Sequence, residues 1–143
     1  MSTWTAFDSD VLIYAADFRN VRGTPIRALF EDTPVDGFVG FGSVLLLTET
    51  LSKPLRTDPG SVEAASLFEM LSRLDLRPLD EPTARTALAL AVEYGLRAAD
   101  AAHLATAIEA GADRFLTNNR RDFPKTITEI DVIYPDDLDS PST

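Results

Sequence analysis

Asp100-Ala101-Ala102-His103-Leu104-Ala105-Thr106-Ala107-Ile108-Glu109-Ala110-Gly111-Ala112-Asp113-Arg114-Phe115-Leu116-Thr117-Asn118-Asn119 is the stretch that decides how this chain folds. It predicts a helix over 101–110 that Asp100 opens and Gly111 closes. Asp is favoured at a helix N-terminus by its acceptor oxygens and by the macrodipole, and Gly accepts the left-handed backbone that ends a helix. Residues 114–117 then read as a strand and 118–123 as a loop or single turn. A helix feeding a strand is half of an α/β unit.

The alternation extends outward in both directions. Residues 4–8 form a strand-like run ending in an acid, followed by the apolar Val11-Leu12-Ile13-Tyr14 and a helix that Asp10 is placed to cap. Thr24-Pro25 reads as N-cap and first helical position, with Ile26, Leu29 and Phe30 at helical spacing. Residues 37–41 are a buried-strand candidate between glycines, and Ser43 caps a helix over 44–52 that Lys53-Pro54 must end. Asp58-Pro59-Gly60-Ser61 is a turn and cap before an apolar stripe of Ala64, Ala65, Phe68, Leu71 and Leu74. Residues 76–79 suit an edge strand, and Asp80 caps a helix through Ala84, Leu88, Ala91 and Val92 that Gly95 closes. Residues 131–134 make a last strand, and 135–143 a polar, frayed tail. Alternating strands and helices predict an α/β fold with a mainly parallel central sheet, whose chemistry gathers beyond the carboxyl ends of the strands.

Composition sets outer bounds. The chain has 143 residues, 45% hydrophobic and 25% charged, which suits one domain with a real core. No apolar run approaches the ~18 residues that span a membrane, and Met1-Ser2-Thr3-Trp4 has neither the basic nor the apolar part of a secretory signal. The absence of Cys excludes disulfides, thiolate nucleophiles and Cys-type zinc sites, so a cytoplasmic location is expected. A net charge of −10 argues against a broad basic face for nucleic acid, though an acidic metal site would itself inflate that count.

Four segments put an acid or its amide at one rim of the sheet: Asp8 with Asp10, Glu49, Asp100, and Asn118 with Asn119. Each has a plainer reading. Asp8 is also a natural turn or N-cap carboxylate. Glu49 lies on a helix rich in Val44, Leu45, Leu46, Leu47 and Leu51, where an ionised carboxylate needs an Arg partner, an exposed stripe or a cation. Asp100 suits any helix start, His103 a packed or exposed helix position, and the Asn pair any turn. Converging carboxylates repel one another unless a cation sits between them, and the usual one is a divalent metal held by oxygen.

The segments Phe7-Asp8-Ser9-Asp10-Val11-Leu12-Ile13-Tyr14, Thr48-Glu49-Thr50-Leu51, Ala99-Asp100-Ala101-Ala102-His103-Leu104-Ala105-Thr106-Ala107 and Ala112-Asp113-Arg114-Phe115-Leu116-Thr117-Asn118-Asn119 resemble the PIN-domain family. Within it they look like the VapC-like toxin ribonucleases of type II toxin–antitoxin modules. The resemblance runs over about 5–134. It implies a three-layer α/β/α sandwich around a mainly parallel sheet of about five strands, with one PIN-like domain over 1–134 and a polar C-terminal tail over 135–143.

The implied activity is Mg²⁺- or Mn²⁺-dependent endoribonuclease cleavage of RNA. Asp8, Glu49 and Asp100 carry over as the catalytic, metal-holding acids. Asn119 stands where the family usually has a fourth acid; its amide oxygen can ligate a metal but brings no charge, and Asp122 or Asp113 are candidates to substitute. Ser9, Ser43, Thr117 and Asn118 are supporting polar groups at the rim. Lys53, Arg97, Arg120 and Arg121 are candidates for RNA phosphates, each also readable as a solvated surface charge. The resemblance further implies a cognate antitoxin, a homodimer and no membrane association. Two other readings stay open. Asp8 and Asp10 also resemble the nucleophile and acid–base pair of haloacid-dehalogenase-like phosphatases, with Ser43, Lys53 and Asp136-Asp137 in order. A catalytically weak PIN fold that binds RNA or protein is the other.

Overall fold

The computed structural model describes residues 3–138. At its centre is β1 (Thr5–Phe7), buried along its whole length. It pairs in parallel with β2 (Gly40–Ser43) on one side and β4 (Arg114–Leu116) on the other. Outside these lie β3 (Leu74–Arg77) and β5 (Asp131–Ile133), also parallel, giving the order β3-β2-β1-β4-β5. The order reverses between β1 and β4, so the crevice beyond Phe7 and Leu116 is where an open parallel sheet receives a ligand.

Side chains along the strands alternate between two cores, as a period of two requires. Phe7, Leu116 and Ile133 enter one core with Val11, Leu12, Ile26, Phe30, Leu46 and Leu67. That face is covered by α1 (Ser9–Ala16), α2 (Thr24–Glu31), α3 (Leu45–Thr57) and α4 (Val62–Ser72). Ala6, Phe115 and Val132 enter the other core with Leu90, Leu104 and Ala105, under α5 (Glu81–Tyr94) and α6 (Ala98–Glu109). The result is the expected three-layer α/β/α sandwich. α6 is buried continuously from Ala101 to Thr106 and on to Ala107, because small side chains let it lie between the sheet and α5. No helix of the described residues is long and apolar enough to cross a membrane.

Several local expectations hold. Ser61 and Asp80 accept from the N–H groups of Ala64 and Thr83 as N-caps, and Gly95 and Gly111 take positive φ at helix ends. Others are corrected. Asp8, not Asp10, is the N-cap of α1, and Thr24 is already inside α2 behind Gly23. The strand expected at 37–41 is Gly40–Ser43, and the edge strand begins at Leu74 rather than at 76. Pro54 does not end α3; its ring is buried, and the N–H of Asp58 still reaches its carbonyl at 2.8 Å. Packing thus offsets the roughly 3 kcal/mol cost of an interior proline.

Phe68 is half exposed, and α4 instead buries Leu67 and Met70. On α5 the visible stripe of Leu88 and Val92 faces outward, 66% and 78% exposed, while Thr83, Ala87 and Leu90 meet the core. Of the frayed tail expected over 135–143, Pro135–Leu138 is a short helix, α7, with Leu138 packed against the first core, and 139–143 lie outside the described residues.

Candidate active site

The site grows from the turn after β1. The Asp8 N–H donates to the Leu116 carbonyl at 3.0 Å, so the β1–β4 ladder itself fixes where the Asp8 side chain starts. One carboxylate oxygen accepts from the Ser9 N–H (2.8 Å) and the other from the Thr117 hydroxyl (2.7 Å). Asp8 is only 4% exposed. Burial pushes its carboxyl above the usual range, with Glu49 adding to the rise, against the opposing pull of His103, Thr117 and Ser9. Thr117 Oγ1 also accepts from the Asn119 N–H (3.0 Å), tying the following loop to the same hydroxyl.

Asp10, in the first turn of α1, accepts the Asn118 N–H on both oxygens at 3.1 and 3.3 Å. Burial, and then the charge of Asp8, push it up to about 7. Asp100, in the first turn of α6, is raised by burial and then by the charges of Asp8 and Asp122. Asp122 is itself held by Asn119: the Asn119 amide donates to it at 2.9 Å and accepts its N–H at 3.2 Å. The acid that presses on Asp100 from this loop is therefore Asp122, while the Asn119 amide is engaged with Asp122. Asp113 lies at the opposite, amino end of the strands, accepting from the Trp4 N–H at 2.7 Å.

Glu49 sits at the mouth, its side chain 34% exposed. Its partner is neither an Arg nor solvent alone, since Oε1 stands 2.5 Å from Nε2 of His103. That bond, aided by the charge of His103 and by the Ser9 hydroxyl, holds Glu49 below its ordinary range in spite of burial. For His103, burial disfavours the charged ring, but the bond to Glu49 and the charges of Asp8, Glu49 and Asp100 raise its proton affinity overall.

Asp10, Asp122 and His103 are the members that the motif reading left out of the core set. Asp100 and His103 are three apart on a helix, and Asn119 and Asp122 three apart in a turn, so one-turn spacing was the available signal.

The remaining candidates divide. Ser9 and Thr117 belong to the acid cluster. Ser43 instead accepts the Leu45 N–H at 3.1 Å at the start of α3, and the Asn118 side chain donates to the Tyr14 hydroxyl at 3.3 Å. Lys53 lines a hollow with Glu49, Ile13, Pro54 and Glu63. Arg120 is paired with Asp136 at 2.8 Å and lies over the Tyr134 ring, whereas Arg97 and Arg121 are exposed. Asp136 and Asp137, which the phosphatase reading needs, are taken by Arg120 and Lys125.

The carboxylate oxygens of Asp8, Asp10, Asp100, Asp122 and Glu49 are the donor type a hard divalent cation takes, and Asp8, Asp10 and Asp100 are pushed toward protonation by burial and by neighbouring acids. Among the described residues no three acids or histidines are already drawn into one ligand cage. Glu49 turns to His103 and Asp10 to the Asn118 N–H.

A five-stranded parallel α/β/α sandwich with acids from β1, α3, α6 and the β4 loop at its switch point defines a structural class. The chain belongs to the PIN domain family, whose model matches residues 6–127. Its fold is similar to a toxin–antitoxin complex from Klebsiella pneumoniae, at 22% identity and TM-score 0.70, covering 93% of this chain and 98% of that one. It is also similar to DNA-bound VapBC from Salmonella typhimurium, at 18% identity and TM-score 0.72, covering 94% and 99%. VapBC2 from Rickettsia felis, bound to a DNA fragment from their promoter, gives 17% identity and TM-score 0.69, covering 93% and 98%. No curated protein matches by sequence.

Proposed function

We propose that this PIN-domain protein is a Mg²⁺- or Mn²⁺-dependent endoribonuclease that hydrolyses RNA phosphodiester bonds, and that it is the toxin of a toxin–antitoxin pair in the cytoplasm. One observation carries the nuclease reading: Asp8, Asp10 and Asp100 gather at the switch point, each raised by burial and by the charge of at least one neighbouring acid, a strain that a divalent cation relieves. Asp8 and Asp100 would hold the ion, with Asp122 as the third acid and Asn119 holding Asp122 in place. A bound Mg²⁺ or Mn²⁺ supplies Lewis acidity and charge neutralisation at the scissile phosphate.

This chain's own residues do the rest. Glu49 orients the attacking water and accepts its proton, being kept ionised by its bond to His103. Thr117 and the Ser9 N–H fix the Asp8 carboxylate so that it does not have to reorganise. Lys53, beside Glu49, meets a flanking phosphate.

The antitoxin assignment draws on the similar structure from Klebsiella pneumoniae, which is described as a toxin–antitoxin complex. The homodimer assignment draws on the open apolar face of α5 and α6, where Leu79, Leu88, Ala91, Ala98 and Ala102 line a hollow of about 300 Å³.

The test is cleavage of a mixed structured-RNA panel by antitoxin-free protein in Mg²⁺, Mn²⁺ and EDTA, with Asp8→Asn and Asp100→Asn in parallel. Metal-dependent cutting lost in both variants supports the reading. Cutting that survives both changes overturns it, and folded protein that cuts nothing but still binds RNA favours the catalytically weak fold.

A further inference from the structure

His103 is buried beside the acids, its side chain 1% exposed, and the nuclease chemistry assigns it no contact with substrate or metal. It projects from α6 one turn beyond Asp100. Among the described residues its one hydrogen-bond partner is Glu49, which projects from α3. These helices cover opposite faces of the sheet, so the contact closes over the rim and joins the two layers at the cleft.

The asymmetry of the pair is informative. Glu49 is a long, partly exposed side chain that would otherwise sample many rotamers. His103 is fixed by the surrounding helix and sheet. Its Nδ1 is buried with no hydrogen-bond partner among the described residues, so the ring does not serve to satisfy two core groups; its one bond there goes to Glu49. An imidazole N–H at Nε2 donates to a carboxylate whether the ring is neutral or charged, which leaves the second Glu49 oxygen available for the cleft.

We propose that His103 is the positioning residue for Glu49, holding that carboxylate at the mouth of the Asp8–Asp100 cleft in the one orientation that serves a nucleophilic water. The inference rests on the nuclease reading. Groups behind functional carboxylates and metal ligands commonly govern 10–100-fold in activity or affinity.

The experiment compares His103→Leu, which keeps volume and loses the donor, with His103→Gln, whose amide N–H extends to the Nε2 position. RNA cleavage in Mn²⁺ gives kcat and KM, calorimetry gives Mn²⁺ affinity, and thermal unfolding in EDTA monitors the fold. His103→Leu is expected to lower kcat about 10–100-fold with KM nearly unchanged, and His103→Gln to restore most of it. Combining His103→Leu with Glu49→Gln should cost little beyond Glu49→Gln alone, because the two act as one unit.

Equal kcat for His103→Leu and wild type, or a fully additive loss in the double variant, overturns the inference while leaving the nuclease reading intact. So does a His103→Gln protein as slow as His103→Leu. Wild type that neither binds Mn²⁺ nor cuts RNA overturns both. Should His103→Leu fail to fold, His103→Gln against His103→Asn carries the same comparison, since the shorter amide cannot reach the Nε2 position.

Discussion

The Thr117 hydroxyl donates to a carboxylate oxygen of Asp8 at 2.7 Å, although the two residues lie 109 positions apart in the chain. The bond joins the ends of β1 and β4 where the strand order reverses, and Thr117 is fully buried. Thr117→Val removes the donor without changing the shape. It should destabilise the fold by about 1–3 kcal/mol, the usual cost of leaving a buried acceptor unpaired. Thr117→Ser should recover most of that loss, and urea unfolding in EDTA measures both.

Metal binding should be visible as stability before any RNA is added. A cation present at about a hundred times its Kd adds roughly 2.7 kcal/mol to a protein that binds it only when folded. Differential scanning fluorimetry with and without Mn²⁺ should show that gain in wild type and lose it in Asp8→Asn and Asp100→Asn. In EDTA those two variants should match or exceed wild type, because each removes one of the mutually repelling charges. A Mn²⁺ shift that persists in both variants would place the cation elsewhere.

Asp10 gives a pH signature. Its carboxyl is pushed from an ordinary 3.8 up to about 7, so between those values the folded state binds more protons than the unfolded one. Stability in EDTA therefore falls as pH rises through that window, the reverse of a salt-bridged acid. Asp10→Asn should flatten the slope between about pH 4 and 7 and leave the variant more stable than wild type at neutral pH. A denaturant series at stepped pH decides it, and an unchanged slope would show that Asp8 and Asp100 carry the dependence.

Asn119→Asp would set a second carboxylate against Asp122 in place of the amide that now donates to it at 2.9 Å. The metal-free protein should lose about 1–3 kcal/mol. Asp122→Asn should instead spare the fold and weaken Mn²⁺ binding, measured by calorimetry. If Asp122→Asn binds Mn²⁺ like wild type, the acid set stops at Asp8 and Asp100 with Glu49.

Leu88→Glu combined with Val92→Glu should leave the melting temperature nearly unchanged, because both side chains are mostly exposed in the single chain. Sedimentation of the wild type should show a dimer and the double variant a monomer. Identical sedimentation would remove α5 from the interface.

Most of the architecture could be read from the residues because it rests on strong local signals: Asp80 and Ser61 capping, Gly95 and Gly111 ending helices, short apolar strands between. Faces were harder. Leu88 and Val92 look like a core stripe, but Ala87 and Leu90 face the second core instead, and hydropathy does not record that choice. Pro54 was legible as a breaker and failed as one, since burial of its ring is a tertiary gain no local rule contains.

In the site, Asp8, Glu49 and Asp100 were legible as acids at one rim of the sheet. Asp122 was legible only as one of two candidates to substitute for the fourth acid, and His103 only as a helix residue, because their roles come from what they face across the crevice rather than from their neighbours in sequence.

The parallel sheet has a consequence for the order in which the molecule comes into being. Asp8 is made 109 residues before Thr117, and Asn119 and Asp122 follow in the loop after β4. Until then Asp8 lacks the hydroxyl that holds it, Asp100 lacks the opposing acid, and β1 lacks its neighbour on one side. Long-range closure of this kind comes late in folding. A product interrupted before β4 would therefore carry Asp8, Asp10, Glu49 and Asp100 without the hydroxyl and the loop that complete the cleft around them.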